Sequence, residues 1–210
     1  MCNLSYPKFK NDLQNILEPE CNRCLGLVRN RKKISWGYGY LNSKIIFIAE
    51  APAKGDPKEN EWQGSNYTGI PFTNLNSGKL FRSHIKKIGF DLANDFYITN
   101  TVKCLSTKLN AEIKNNCAEH LKKEIKMIQP QLIVCVGGTA LKEVYKIVTG
   151  KNNSPTLGSV IKKGVIELLD HKITAMIHPA YFNVWLKNYG FKNEEEYLNL
   201  YRSIFNQHLI

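Results

Sequence analysis

Apolar positions along this chain fall into short continuous runs separated by longer amphipathic stretches, and the two kinds alternate. Residues 45–49 (Ile-Ile-Phe-Ile-Ala), 96–100, 132–136 (Leu-Ile-Val-Cys-Val) and 172–177 are too short for helices and read as strands of a buried sheet. Between them Leu80, Phe81, Ile85 and Ile88 recur at helical spacing, with Gly89 placed to end the helix. Residues 111–128 predict a second helix that stops before Pro130, and residues 139–148 a third. Further helices are expected over 9–17, where Phe9, Leu13, Ile16 and Leu17 share a face, and over 194–208. Residues 159–169 read as an edge hairpin around Lys163-Gly164, and Trp36-Gly37-Tyr38-Gly39-Tyr40 as loop. This alternation predicts an α/β fold, a three-layer αβα sandwich with a central, mostly parallel four-stranded sheet. All of residues 1–210 are expected to form one domain.

In such sheets ligands bind outside the carboxyl ends of the strands. The rule gathers three distant segments: Glu50-Ala51-Pro52, Asn100, and His178-Pro179. A carboxylate, an amide and an imidazole would then share one crevice. The connection 50–77 has no periodicity, and connections of that length are often functional.

Charge narrows the partner. With 29 basic against 18 acidic residues the chain carries +11, which favours a polyanion, nucleic acid foremost. The runs Arg29-Asn30-Arg31-Lys32-Lys33 and Lys162-Lys163 are the candidates for phosphate contact, whereas stretches such as Lys122-Lys123-Glu124 read as solvated helix faces. No apolar run is long enough to cross a bilayer.

Four cysteines stand in two separated pairs, Cys21 with Cys24 and Cys104 with Cys117. Four thiolates brought together by folding suit zinc or an iron-sulfur cluster, and spacing does not separate the two. Cys117 also lies on a helical stripe with Ile113, Leu121, Ile125 and Ile128, where the alternative reading is core. Cys135 falls inside an apolar strand and Cys2 at the terminus, so neither is assigned to a metal. No signal peptide opens the chain and it is long for a disulfide scaffold; a reducing cytoplasm is the expected setting.

The pieces Cys21-Asn22-Arg23-Cys24, Glu50-Ala51-Pro52, Thr68-Gly69-Ile70-Pro71-Phe72, the run from Tyr97 to Cys104, Cys117, and His178-Pro179-Ala180-Tyr181 occur in an order that resembles the uracil-DNA glycosylase superfamily, most closely its iron-sulfur-containing family 4. The resemblance implies a monofunctional, monomeric enzyme acting on single- or double-stranded DNA. It would flip a base out and hydrolyse its N-glycosidic bond, releasing uracil in DNA repair. It implies a 4Fe-4S cluster on Cys21, Cys24, Cys104 and Cys117, with zinc the weaker alternative. Glu50 and His178 would be catalytic, Phe72 would stack on the flipped base, Asn100 would read its edge, and Ala51, Pro52 and Ala53 would complete the pocket.

Departures from the family pattern are specific. Ala49 and Ala53 stand where the family usually has glycine, the connection 54–67 is longer than usual, and Phe182-Asn183-Val184-Trp185-Leu186-Lys187 lacks an arginine often found there. The enlarged rim leaves two alternatives: a glycosylase for a bulkier modified pyrimidine, for example in phage DNA, or a DNA-binding iron-sulfur protein without hydrolase activity. Tyr181 and Phe182 are candidates for the side chain that wedges into the vacated stack.

Overall fold

The structure is a computed structural model that describes residues 20–55, 64–73 and 76–209; the helix expected over 9–17, Cys2, and the acidic and aromatic residues of the long connection from Asp56 to Trp62 lie outside them. Among the described residues six strands, β1 (Tyr38–Gly39), β2 (Ile45–Ala49), β3 (Tyr97–Asn100), β4 (Leu132–Val136), β5 (Ile166–Leu168) and β6 (His171–Met176), form one sheet in the order β1-β3-β2-β4-β6-β5. The four inner strands are parallel and are the four read from the sequence. An antiparallel strand closes each edge, so the expected four-stranded sheet is corrected to six.

Both corrections have physical reasons. β1 is two residues long and half glycine, too short to carry an alternating pattern, yet it pairs with Ile98 and Tyr97. The hairpin expected around Lys163-Gly164 is instead a helix, Leu157–Lys163, followed by β5. Thr156 caps that helix by accepting the Ser159 N–H through its Oγ1 at 3.2 Å, and Val160 and Ile161 bury their side chains. Gly164, at φ 76°, ends it, and the true hairpin turn falls at Leu169, between β5 and β6.

The helices are α1 (Leu25–Val28), α2 (Ser65–Thr68), α3 (Ser77–Lys87), α4 (Ala111–Ile128), α5 (Gly138–Thr149), α6 (Leu157–Lys163), α7 (Phe182–Asn188) and α8 (Glu194–Leu209), with a 3-10 turn at Pro179–Tyr181. Phe47, at the centre of β2, meets Phe81 of α3, Phe96 and Phe205 of α8 edge-on with ring centroids 5.0–5.5 Å apart. Each such buried aromatic contributes roughly 1.5–3 kcal/mol, so this cluster anchors α3 and α8 to one face of the sheet. Thr99 points to the opposite face and bonds Glu124 of α4, which packs beside α5. Helices thus cover both faces, and the loops at the carboxyl ends of the inner strands are left to form a site. Among the described residues no helix is long and apolar enough to cross a membrane.

Candidate active site and cysteine centre

Glu50 follows β2, Gly137 follows β4, and His178 stands two residues beyond β6, and all three line one cleft of about 410 Å³ at the carboxyl edge of the sheet. The His178 ring is oriented locally: Nδ1 accepts the Ala180 N–H at 3.2 Å, which places the proton of the neutral imidazole on Nε2. Burial lowers the His178 pKa below the usual histidine value, so the neutral form prevails at pH 7. Gly137 makes the turn beneath it possible. Its φ is 95°, and a Cβ there would lie 3.2 Å from the His178 Cβ.

Glu50 is half-buried, and its backbone carbonyl is tied to the end of β3 by the Thr101 hydroxyl at 2.7 Å and the Val102 N–H at 2.9 Å. Its carboxylate is thereby carried on a fixed backbone at the cleft wall. Pro52 is buried beside it. Ala53 is fastened on both sides, its N–H donating to Ser65 Oγ at 2.9 Å and its C=O accepting from Asn66 N at 3.1 Å. The far end of the long connection therefore holds the loop that carries Glu50, Ala51 and Pro52.

Asn100 and Phe72 are not among the residues lining that cleft. Asn100 ends β3 with 2% of its surface exposed and donates from Nδ2 to Ser35 Oγ at 3.2 Å. That bond leaves Oδ1 and the second N–H for another partner. Phe72 has φ 59°, a left-handed conformation that costs a bulky residue about 1–3 kcal/mol, and Arg82 donates to its carbonyl. One face of its ring stacks on Phe81 with centroids 4.2 Å apart. Phe182, expected as a possible wedge, is 4% exposed and packs against His84 and Tyr197, whereas Tyr181 is 59% exposed at the cleft.

Cys21, Cys24, Cys104 and Cys117 line a single hollow between the α1 segment and α4. Each sulfur has its own polar partner. The Arg31 guanidinium lies 3.6 Å from Cys104, the Asn116 amide 3.4 Å from Cys24 and His120 Nε2 3.4 Å from Cys21, while a backbone bond from Lys103 reaches Cys117. Burial pushes the Cys104 thiol up and the Cys117 thiol up to about 11; a bound cation would draw both toward the thiolate form. The donor set therefore fits a thiolate-bound metal group. Among the described residues no group of three or more His, Cys, Asp or Glu side chains is arranged to hold a metal ion.

Sequence reasoning missed a buried ion pair behind this centre. Lys103 Nζ lies 2.6 Å from Glu124 Oε2, 2.6 Å from Thr99 Oγ1 and 2.7 Å from the Asn100 carbonyl, and Glu124 is fully buried rather than on a solvated face. The helical period did place Glu124 on the buried stripe of Leu121 and Ile128, but its charge and its exposed lysine neighbours made it read as solvated. Ser35 and Tyr197 were missed as well, since neither carries a motif.

The profile of the Uracil DNA glycosylase superfamily matches residues 36–204 of the chain. The chain is 27% identical to the Type-5 uracil-DNA glycosylase of Pyrobaculum aerophilum, over 85% of this chain and 84% of that one. It is 29% identical to the Type-4 uracil-DNA glycosylase of Thermotoga maritima, over 82% and 84%, and 27% identical to the Type-4 enzyme of Archaeoglobus fulgidus, over 76% of each. With the αβα sheet and the strand-end cleft, a match of this length means that the chain belongs to the uracil DNA glycosylase superfamily.

Proposed function

We propose that this protein hydrolyses the N-glycosidic bond of uracil in DNA, leaving an abasic site. The observation that carries the reading is His178 sharing one cleft with Glu50, its neutral imidazole oriented by the Ala180 N–H on Nδ1 so that Nε2–H is left to donate. As the glycosidic bond breaks, negative charge accumulates on the departing base and positive charge on the sugar. A fixed N–H donor aimed at uracil O2 stabilises the first, and the Glu50 carboxylate stabilises the second while orienting the attacking water.

A base in a stack is out of reach, so it must be extruded before it can be read. Asn100 and His178 end strands three places apart in the sheet, which separates their backbones by about 14 Å. Two side chains and a pyrimidine between them fill such a span. Asn100 Oδ1 would accept from N3–H and its remaining Nδ2–H would donate to O4; cytosine presents the reverse pattern and is refused. Phe72, backed by Phe81, would supply the stacking face.

Cys21, Cys24, Cys104 and Cys117 would hold a 4Fe-4S cluster; that all four line one hollow supports a thiolate-bound group there. When bound, the cluster supplies a rigid cross-link between the segment around Cys21 and α4, in the structure rather than in hydrolysis. The purified protein is to be incubated with single- and double-stranded oligonucleotides carrying one uracil and then treated with alkali. Strand breaks at the uracil are expected. Binding without breaks at uracil overturns the reading.

A further inference from the structure

Trp185 and Tyr189, one turn apart on and just beyond α7, stack with ring centroids 5.5 Å apart and planes inclined by 16°. Both line the cleft that holds Glu50 and His178. Tyr189 has room to lie flat only because residue 158 is glycine: a Cβ there would fall 2.9 Å from the tyrosine ring. With Tyr189 behind it, Trp185 still has 41% of its surface open, and it continues an exposed apolar strip with Tyr181 and Val184. A backed indole left open at a cleft, rimmed by further exposed apolar side chains, is the kind of surface that marks a binding site. Neither ring is required by the proposed chemistry of Glu50, His178, Asn100 and Phe72.

We propose that Trp185, backed by Tyr189, is a stacking platform for a nucleobase that neighbours the extruded one in a single DNA strand. The occupant follows from chemistry on the page. The chain carries +11, so its partner is a polyanion, and a planar aromatic surface beside a strand-end cleft takes the face of a base without regard to its identity. Exposed indole binds such faces well, and pre-stacking on Tyr189 and Gly158 removes the cost of ordering it. The proposal rests on reading the cleft as a DNA site, not on uracil being the base released.

The test measures affinity rather than excision. The wild-type protein, Trp185→Ala and Trp185→Phe are titrated with a short single strand carrying one non-hydrolysable 2′-fluoro-deoxyuridine. A second and third strand replace the nucleotide on one side or the other of that uridine with an abasic analogue. Loss of the indole should weaken binding to the full strand about tenfold and leave the salt dependence unchanged, because Trp185 carries no charge. Phenylalanine should restore most of the loss. On one of the two abasic strands the alanine variant should bind as well as wild type, because the stacking partner is already gone.

Equal losses on all three strands, or none on the full strand, would overturn the proposal. If the alanine variant does not fold, the wild type alone decides: it must bind one abasic strand about tenfold more weakly than the full one, and equal affinity overturns the platform. A protein that binds in this manner but releases no uracil would sink the uracil reading and leave the platform standing.

Discussion

Tyr197 and Ile177 meet in one hydrogen bond, the phenol oxygen accepting the Ile177 backbone N–H at 2.9 Å. Ile177 lies just beyond the last residue of β6 and just before His178, so no sheet partner would otherwise satisfy that N–H. The same ring packs edge-on against Phe182 at 5.2 Å, on the far side of the Pro179–Tyr181 turn. One side chain of the last helix therefore brackets the segment that carries the proposed catalytic imidazole. Tyr197→Phe keeps the ring and removes the acceptor. Leaving that buried N–H unpaired should cost about 1–3 kcal/mol of stability. Because His178 loses a fixed mooring, kcat should fall about tenfold with KM nearly unchanged. Steady-state kinetics beside a thermal melt check this; a lower Tm with unaltered kcat would mean that Tyr197 only packs.

His178→Ala and Asn100→Ala separate catalysis from binding. Removal of one preorganised donor to a developing anion should lower kcat on the order of 10²–10³-fold. Affinity for a uracil-containing strand, measured by fluorescence anisotropy, should change far less. Parallel losses of rate and affinity would count against the assigned roles.

The Lys103–Glu124 pair joins the cysteine centre to the base reader, since Lys103 precedes Cys104 and holds the Asn100 carbonyl. Removing either partner strands a charge in the interior and should destabilise the fold by about 3–5 kcal/mol. Lys103→Met combined with Glu124→Leu should cost less than the sum of the two single changes. Chemical denaturation of the four proteins gives this coupling, and strict additivity would refute it.

Acid stability should follow His84. Burial holds its pKa down to about 4 against an ordinary 6.5, with Glu194 opposing and Lys87 assisting. The unfolded chain therefore binds the proton more readily than the fold does. The contribution of the neutral ring is intact above pH 6.5 and is lost as pH falls toward 4, of the order of 3 kcal/mol at full loss. His84→Gln should flatten the fall in Tm over that window; an unchanged slope would assign the acid sensitivity elsewhere.

Cys117→Ser tests whether the four thiols act together. If they hold one cluster, the wild-type protein is brown with broad visible absorbance, and the serine variant loses colour and thermal stability together. A variant that kept full absorbance would mark Cys117 as packing, its reading from the stripe with Leu121 and Ile125.

By itself the sequence determined the four parallel strands and the long helices, because strand and helix burial impose different periods on residues such as Ile45–Ala49 and Ala111–Ile128. It also gave the order of Glu50, Asn100 and His178 at strand ends, since that follows from local pattern and the geometry of parallel sheets. The edge strands escaped it, being too short at Tyr38–Gly39 and displaced by a helix cap at Thr156. Everything that depends on side chains meeting across the chain was decided only by tertiary structure. Glu124 looked solvated until Lys103 was found beside it, Asn100 gained its orientation from Ser35, and His178 its mooring from Tyr197. The physical reason is that a period reports which face of an element is buried, whereas a hydrogen bond between residues 20 to 65 positions apart is set by how whole elements pack.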